Sequence, residues 1–318
     1  MSELLTKSNP KIAILLLAHG TPDSPTEVPA YMNNITGGRA VPDSVMQEVQ
    51  HRYGLIGRSP LTDITNQQAA ALSKQIGLPV YVGMRNWHPF IADVVKKMVA
   101  DQITHAIAIC LAPQNSRTSV GLYKRVTSVA AEGQIEVTFV DSWHDHPQLI
   151  VGFSERLGPA ITRARQEANA RVPVIFTAHS VPCRTICGQD SDPYANQAKH
   201  TAQLVAQRCG LRDHEWHFAF QSQGMSVGPW IGPTVEDTIT ALSSSGHRTF
   251  LVQPVGFVCD HVEVLYDIDI FFKKFADERG MKLLRAESLN CSPRFIDALA
   301  ELATSALSHV ETVSTQKQ

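Results

Sequence analysis

Two stretches of this sequence concentrate side chains able to move protons or hold metals. In TAHSVP, residues 177–182, His179 ends an apolar run and precedes Ser180. In QPVGFVCDHVEVLYDID, residues 253–269, a second apolar run passes through Gly256 into Asp260, His261, Glu263, Asp267 and Asp269. An imidazole titrating near neutrality serves as proton acceptor or metal ligand. Joined by carboxylates it can take Fe2+, Co2+, Zn2+ or Mn2+ without selecting one. On an α-helix Glu263 and Asp267 are i, i+4 neighbours, and their like charges repel unless a cation or a proton lies between them. His261 and Glu263 diverge by about 200° on a regular helix, so a shared cleft requires irregular backbone there, such as a π-bulge. The same acids would also complement the dipole at a helix start, and a single histidine is more often structural than catalytic.

Other residues suit a flat, carboxylated ligand. Arg39 in TGGRA, Arg58 with Ser59 in GLIGRSPL, Arg117 and Arg125 can each grip a carboxylate in a planar fork, or stand as solvated surface charge. Trp230, in the glycine- and proline-rich segment 221–237, offers a wall for an aromatic ring or a cap on the core. Met84, Arg85, Trp87, His88 and Pro89 close another apolar run and belong at the same cleft.

The elements that must position these groups are legible in the spacing of apolar residues. Eight short apolar runs, at 12–18, 80–84, 106–111, 136–140, 174–178, 217–221, 249–255 and 282–285, alternate with stretches of helical period. That pattern predicts an α/β protein with parallel strands buried on both faces. Helices are expected at 193–209, with Ala198, Ala202, Val205 and Cys209 on one stripe, and at 234–242, opened by Thr234 with Asp237 three residues on. The first run ends LLLAHGTP at 15–22 and the fifth IFTAHSVP at 175–182, half the chain apart. This repeat predicts two similar four-stranded parallel sheets facing one cleft, with His19 and His179 at the carboxyl ends of matching strands. Residues 21–79 form a long insertion expected to make a lip over that cleft.

Composition narrows the function. The 318 residues are 43% hydrophobic and 18% charged, with 28 basic against 30 acidic side chains, which excludes a disordered chain and any global charge footprint for nucleic acid. The apolar run at 12–18 is far too short to span a membrane, and the polar start reads as no signal or transit peptide. Six cysteines (Cys110, Cys183, Cys187, Cys209, Cys259 and Cys291) have neither the density of a disulfide scaffold nor paired metal-site spacing, so a reducing cytoplasm is expected. There is no GxxxxGK[ST], no GxSxG, and no GxGxxG after a strand, which removes three common α/β chemistries.

Taken together, LLLAHGTP, GLIGRSPL, GMRNWHPF, TAHSVP, the DPY of 192–194, QSQGMSVGPWIGP, PVGFVCDHVEVLYDID and the ESLN of 287–290 resemble the ferrochelatases, which insert ferrous iron into a porphyrin during haem synthesis. The resemblance implies two Rossmann-like chelatase domains, at 1–146 and 147–318, around a porphyrin cleft. A C-terminal helix at about 293–309 is placed to pack back on the first. It implies His179 as the active-site histidine and Glu263 as its carboxylate partner. His261 and Asp267 complete the metal set, and Asp260 and His261 belong to a motif the family places on a π-helix. The family's acidic row ends early here, at Phe271. The porphyrin-binding set is His19, Tyr31, Arg39, Arg58, Ser59, Arg117, Tyr123, Trp230 and Phe257, and His19 is expected to approach the metal axially.

Fe2+ and porphyrin are then the substrates, with no permanently bound cofactor. No [2Fe–2S] cluster is expected, because no cysteine follows Cys291 and the family's internal cysteine position falls on Arg117. The polar lip segment YMNNITGGRAVP favours coproporphyrin III, with protoporphyrin IX next. Rival readings are a sirohydrochlorin-type cobalt or iron chelatase and a non-catalytic tetrapyrrole or metal carrier. Transient contacts with haem-pathway enzymes or a membrane surface are expected, without an integral membrane span.

Overall fold

The computed structural model describes residues 10–186, 192–224 and 228–316. The polar start, Cys187 and residues 225–227 of the glycine- and proline-rich segment lie outside the described residues. In chain order the first half runs β1 (Ile12–Ala18), α1 (Val28–Thr36), α2 (Asp43–Ile56), α3 (Leu61–Ile76), β2 (Val80–Met84), α4 (Ile91–Ala100), β3 (His105–Cys110), α5 (Val120–Ala131), β4 (Glu136–Val140) and α6 (Pro147–Ala168). The second runs β5 (Val174–His179), α7 (Cys183–Ile186), α8 (Tyr194–Arg208), β6 (Trp216–Gln221), α9 (Val235–Ser244) and β7 (Thr249–Pro254). It continues with α10 (Val262–Leu265), a π-helix (Asp267–Phe272), α11 (Lys273–Asp277), β8 (Lys282–Arg285) and α12 (Pro293–Gln316).

All pairings within the two sheets are parallel, and the strand orders, β2-β1-β3-β4 and β6-β5-β7-β8, are the same pattern repeated. The eight strands fall on the eight apolar runs, with ends moved by a residue where pairing sets them. His105 opens β3 because it pairs with both Ile12 and Glu136. Alternation along β1 explains why both faces are covered. Ala13, Leu15 and Leu17 meet Ile91, Val94, Val95 and Met98, a helical stripe of α4. Ile14, Leu16 and Ala18 join the opposite core. Thr234 accepts a hydrogen bond from Asp237 N–H at 3.1 Å and so caps α9.

Within each sheet the order turns at one strand, β1 or β5, and the crevice beyond the carboxyl end of such a strand is where α/β sheets place ligands. The insertion supplies α1, α2 and α3. Val28, Tyr31, Met32 and Tyr53 from it pack with Trp87 and with Val262 of α10, so the lip rests on the second sheet's side of the crevice. α12 packs on α3, α6, β3 and β4, and its Phe295 and Leu299 share one apolar cluster with Ile14 of β1 and Phe176 of β5.

Candidate active site

The crevice beyond β1 and β5 is a cavity of about 350 Å3 whose wall includes His19, Tyr31, Arg85, Tyr123, His179, Trp230, Phe257, His261 and Glu263. His179 is the last residue of β5. Its carbonyl accepts the Tyr194 hydroxyl at 3.0 Å, and Nδ1 is bonded to the Ser180 carbonyl. Gly256 lets the chain leaving β7 press against this strand end, since a Cβ there would stand 2.6 Å from Ala178 Cβ.

Glu263, in the first turn of α10, bridges two imidazoles. Its Oε1 lies 3.2 Å from His179 Nε2 and its Oε2 3.5 Å from His261 Nε2. His261 precedes the helix in extended backbone (φ −162°, ψ −177°), which brings its ring and Glu263 together despite their spacing. Backbone irregularity was the requirement, and extended backbone meets it; the π-helix begins one turn later, at Asp267. Phe257 packs on both rings, with centroids 6.4 Å from His179 and 4.6 Å from His261. Gln221 Nε2 donates to the Glu263 carbonyl at 2.9 Å and fixes the turn. Burial opposes the charge on His179, but the Glu263 carboxylate outweighs it and lifts this imidazole's pKa to about 9. The two imidazoles overcome burial in the same way at Glu263 and hold its carboxyl well below the usual range.

The acidic run divides by partner. Asp260 and Asp269 both pair with Arg285, at 3.2 and 2.8 Å, and are structural. Asp267, expected in the metal set, does not line the cavity; it bonds the Ser222 hydroxyl and lies 3.6 Å from Arg52 of α2. Burial first, then the nearby Glu263 charge, raises its pKa to about 6, and the Arg52 cation offsets part of the repulsion that the i, i+4 spacing implied. Phe271, where the acidic row stops, is 44% exposed.

His19 sits beyond β1 with both ring nitrogens engaged. Nδ1 meets the Tyr31 hydroxyl at 3.1 Å and the Gly20 carbonyl at 3.2 Å, while Asn86 Nδ2 stands 2.9 Å from Nε2. Burial, then the Arg85 charge, depresses its pKa to about 4, so it is a neutral imidazole. Axial approach to a metal therefore requires Asn86 to release Nε2.

Four expected porphyrin contacts do not line the cavity. Arg39 is exposed, and its Nε donates to the Thr36 carbonyl. Arg58 is held by Asp23 and Asp63, both at 2.9 Å, and Ser59 is buried beside it. Arg117 donates to the Thr185 carbonyl, while its backbone N–H binds Asp192. Acidic or carbonyl partners outside their own strings claimed Arg58 and Arg117, whereas Arg39 turns back on the carbonyl of Thr36 in its own string. Arg85 is the contrasting case. It lines the cavity with its guanidinium carbon 5.1 Å from the Tyr123 ring centroid, and its buried Nε and Nη1 have no hydrogen-bond partner among the described residues. Tyr53, Asn86, Gln114 and Tyr194 were not singled out by residue type; only the strings GMRNWHPF and DPY marked Asn86 and Tyr194. Trp87, placed at the cleft from its position, instead packs behind it with Tyr31 and Tyr53.

Comparison with known proteins decides among the families this site allows. The ferrochelatase family model matches residues 11–307. The chain belongs to the ferrochelatase family. A ferrochelatase of Acidobacterium capsulatum is 54% identical over 95% of this chain and 96% of its own. One from Deinococcus radiodurans is 38% identical over 94% and 96%. The coproporphyrin III ferrochelatase of Bacillus subtilis is 36% identical over 92% and 97%. Among solved structures, SirB of Bacillus subtilis, crystallised with Fe3+, superimposes with a TM-score of 0.57 at 11% identity over 95% of this chain and 98% of that one, a likeness of fold. Membership makes the chain an enzyme of haem biosynthesis.

Proposed function

We propose that this enzyme inserts Fe2+ into coproporphyrin III, releasing the two pyrrole protons. The observation that carries the reading is Glu263 held between His179 and His261 at the cavity wall. With Nδ1 on a carbonyl and Nε2 on a carboxylate, His179 carries a proton at rest. Fe2+ arriving at Glu263 withdraws the negative charge that keeps the imidazole protonated. His179 then releases its Nε2 proton to solvent in the open cleft, the freed nitrogen accepts a proton leaving a pyrrole nitrogen and passes it to solvent in turn, and the second pyrrole proton leaves by the same route. His261 steadies the second oxygen of Glu263 through the exchange. The aromatic wall of Tyr31, Tyr123, Trp230 and Phe257 suits a flat macrocycle, and Arg85, whose Nε and Nη1 have no partner among the described residues, suits one of its carboxylates.

Coproporphyrin III, with four carboxylates, is favoured by the polar exposed lip residues Asn33 and Arg39, and relatives named for that ring are 36% identical. The test is an anaerobic steady-state assay with Fe2+, offering coproporphyrin III, protoporphyrin IX and sirohydrochlorin in parallel. A kcat/KM for coproporphyrin III at least about tenfold above the others supports the reading. Preference for protoporphyrin IX or sirohydrochlorin overturns the ring assignment, and binding without turnover overturns the mechanism.

A further inference from the structure

Away from the cleft, the turn between β4 and α6 meets the second turn of α8. There His144 Nε2 lies 3.2 Å from His200 Nδ1, with ring centroids 5.3 Å apart. The Asp145 carboxylate stands beside them, 3.8 Å from His144 Nδ1. One ligand atom from each of the three lies within 4.8 Å of the others, and among the described residues this is the one such group of histidine, cysteine and acidic side chains. The catalytic residues His179, Glu263 and His261 do not form so compact a trio.

We propose that His144, Asp145 and His200 form a binding site for a zinc-like transition-metal cation that staples the β4–α6 turn to α8. Two imidazole nitrogens on a tetrahedral zinc, each at about 2.0–2.1 Å, stand roughly 3.3 Å apart, close to the separation found. A plain hydrogen bond between two rings has a similar length, so the surrounding bonds decide. The Ser142 hydroxyl donates to Gln197 Oε1 at 3.0 Å, which leaves its oxygen to accept from His144 Nδ1 at 3.0 Å. With the proton on Nδ1, the Nε2 lone pair faces His200, the arrangement that supporting hydrogen bonds give metal-binding histidines. The Thr201 hydroxyl donates to the His144 carbonyl at 2.7 Å and holds the turn itself.

Binding needs no net loss of a proton. His200 moves its hydrogen from Nδ1 to the other ring nitrogen and offers the Nδ1 lone pair. Asp145, with its side chain 55% exposed, is free to swing its carboxylate into the third position, and water completes the fourth. Two nitrogens and one carboxylate suit Zn2+, Co2+, Ni2+ or Cu2+ better than Mg2+ or Ca2+, which prefer all-oxygen shells. The staple lies behind the cleft wall: Gln197 of α8 accepts the Asn115 N–H at 2.6 Å, and Gln114 and Ser116 beside it line the cavity.

The test is titration calorimetry of the full-length enzyme with Zn2+, without porphyrin, for wild type, Glu263→Gln, His200→Ala and the double variant. Glu263→Gln empties the cleft of its carboxylate, so the Zn2+ it retains reports the new site. Adding His200→Ala must remove that ion, and must also remove the Zn2+-dependent rise in melting temperature. Co2+ bound to Glu263→Gln should show the intense visible bands of tetrahedral coordination, absent after His200→Ala or His200→Gln. His200→Ala alone should turn over porphyrin at the wild-type rate. If Glu263→Gln binds no Zn2+, or the double variant binds it unchanged, the pair is only two hydrogen-bonded imidazoles and the proposal falls.

Discussion

Glu263 gives one oxygen to each of two imidazoles, and the site's electrostatics follow from that division. Glu263→Gln keeps the shape but removes the charge that protonates His179. Turnover should fall by about 10²–10⁴, while porphyrin still binds, as read by quenching of its fluorescence; unchanged turnover would remove Glu263 from the chemistry. The His179 pKa raised to about 9 also links the site to stability. A histidine bound more tightly to its proton in the folded state contributes stability fully below its unfolded pKa of about 6.5. That contribution is lost as pH rises through the folded value. Denaturant midpoints of the wild type should therefore decline between about pH 6.5 and 9, and His179→Ala should flatten that decline. A His179→Ala profile parallel to the wild type would show that the pair is not charged at rest.

At the scale of elements, the site depends on how closely the end of β7 approaches the end of β5. Gly256 has no Cβ, and one added there would stand 2.6 Å from Ala178 Cβ and 2.8 Å from Ala178 Cα. Gly256→Ala should destabilise the fold by about 1–3 kcal/mol, the usual cost of overpacking, and lower kcat by moving His179 away from Glu263. A variant with wild-type melting temperature and kcat would show that this contact yields freely. The lip is tied to the same region by α2, where Arg52 reaches Asp267 and stacks 4.9 Å from the Tyr266 ring centroid. The insertion thus braces the π-helix as well as covering the cavity.

Across the whole molecule, two sheets share one core. Ile14 of β1, Phe153 of α6, Phe176 of β5 and Phe295 of α12 belong to a single apolar cluster. Calorimetric unfolding should therefore be one cooperative transition with equal calorimetric and van't Hoff enthalpies; two resolved transitions would show that the halves fold apart. Phe295, fully buried and 5.9 Å from the Trp143 ring, is the position to probe. Phe295→Ala should cost about 3–5 kcal/mol and shift far-UV circular dichroism and tryptophan fluorescence midpoints together. No helix among the described residues is long and apolar enough to cross a membrane.

By itself the sequence determined the eight strands, their repeated grouping and the two histidines at matching strand ends, because burial on both faces demands continuous apolar runs and parallel strands need crossovers between them. It also brought out the string that holds His261 and Glu263. It could not rank the arginines. Arg58 and Arg117 look available in their own strings yet are claimed by Asp23, Asp63, Asp192 and the Thr185 carbonyl, whereas Arg85, in an ordinary strand end, keeps donors at the cavity that no described residue pairs. Likewise five acidic and imidazole groups within ten residues read as one cluster, until Arg285 drew two of them away and Ser222 with Arg52 a third. Charge partners are set by contacts between residues far apart in the chain, and only the tertiary structure makes those contacts.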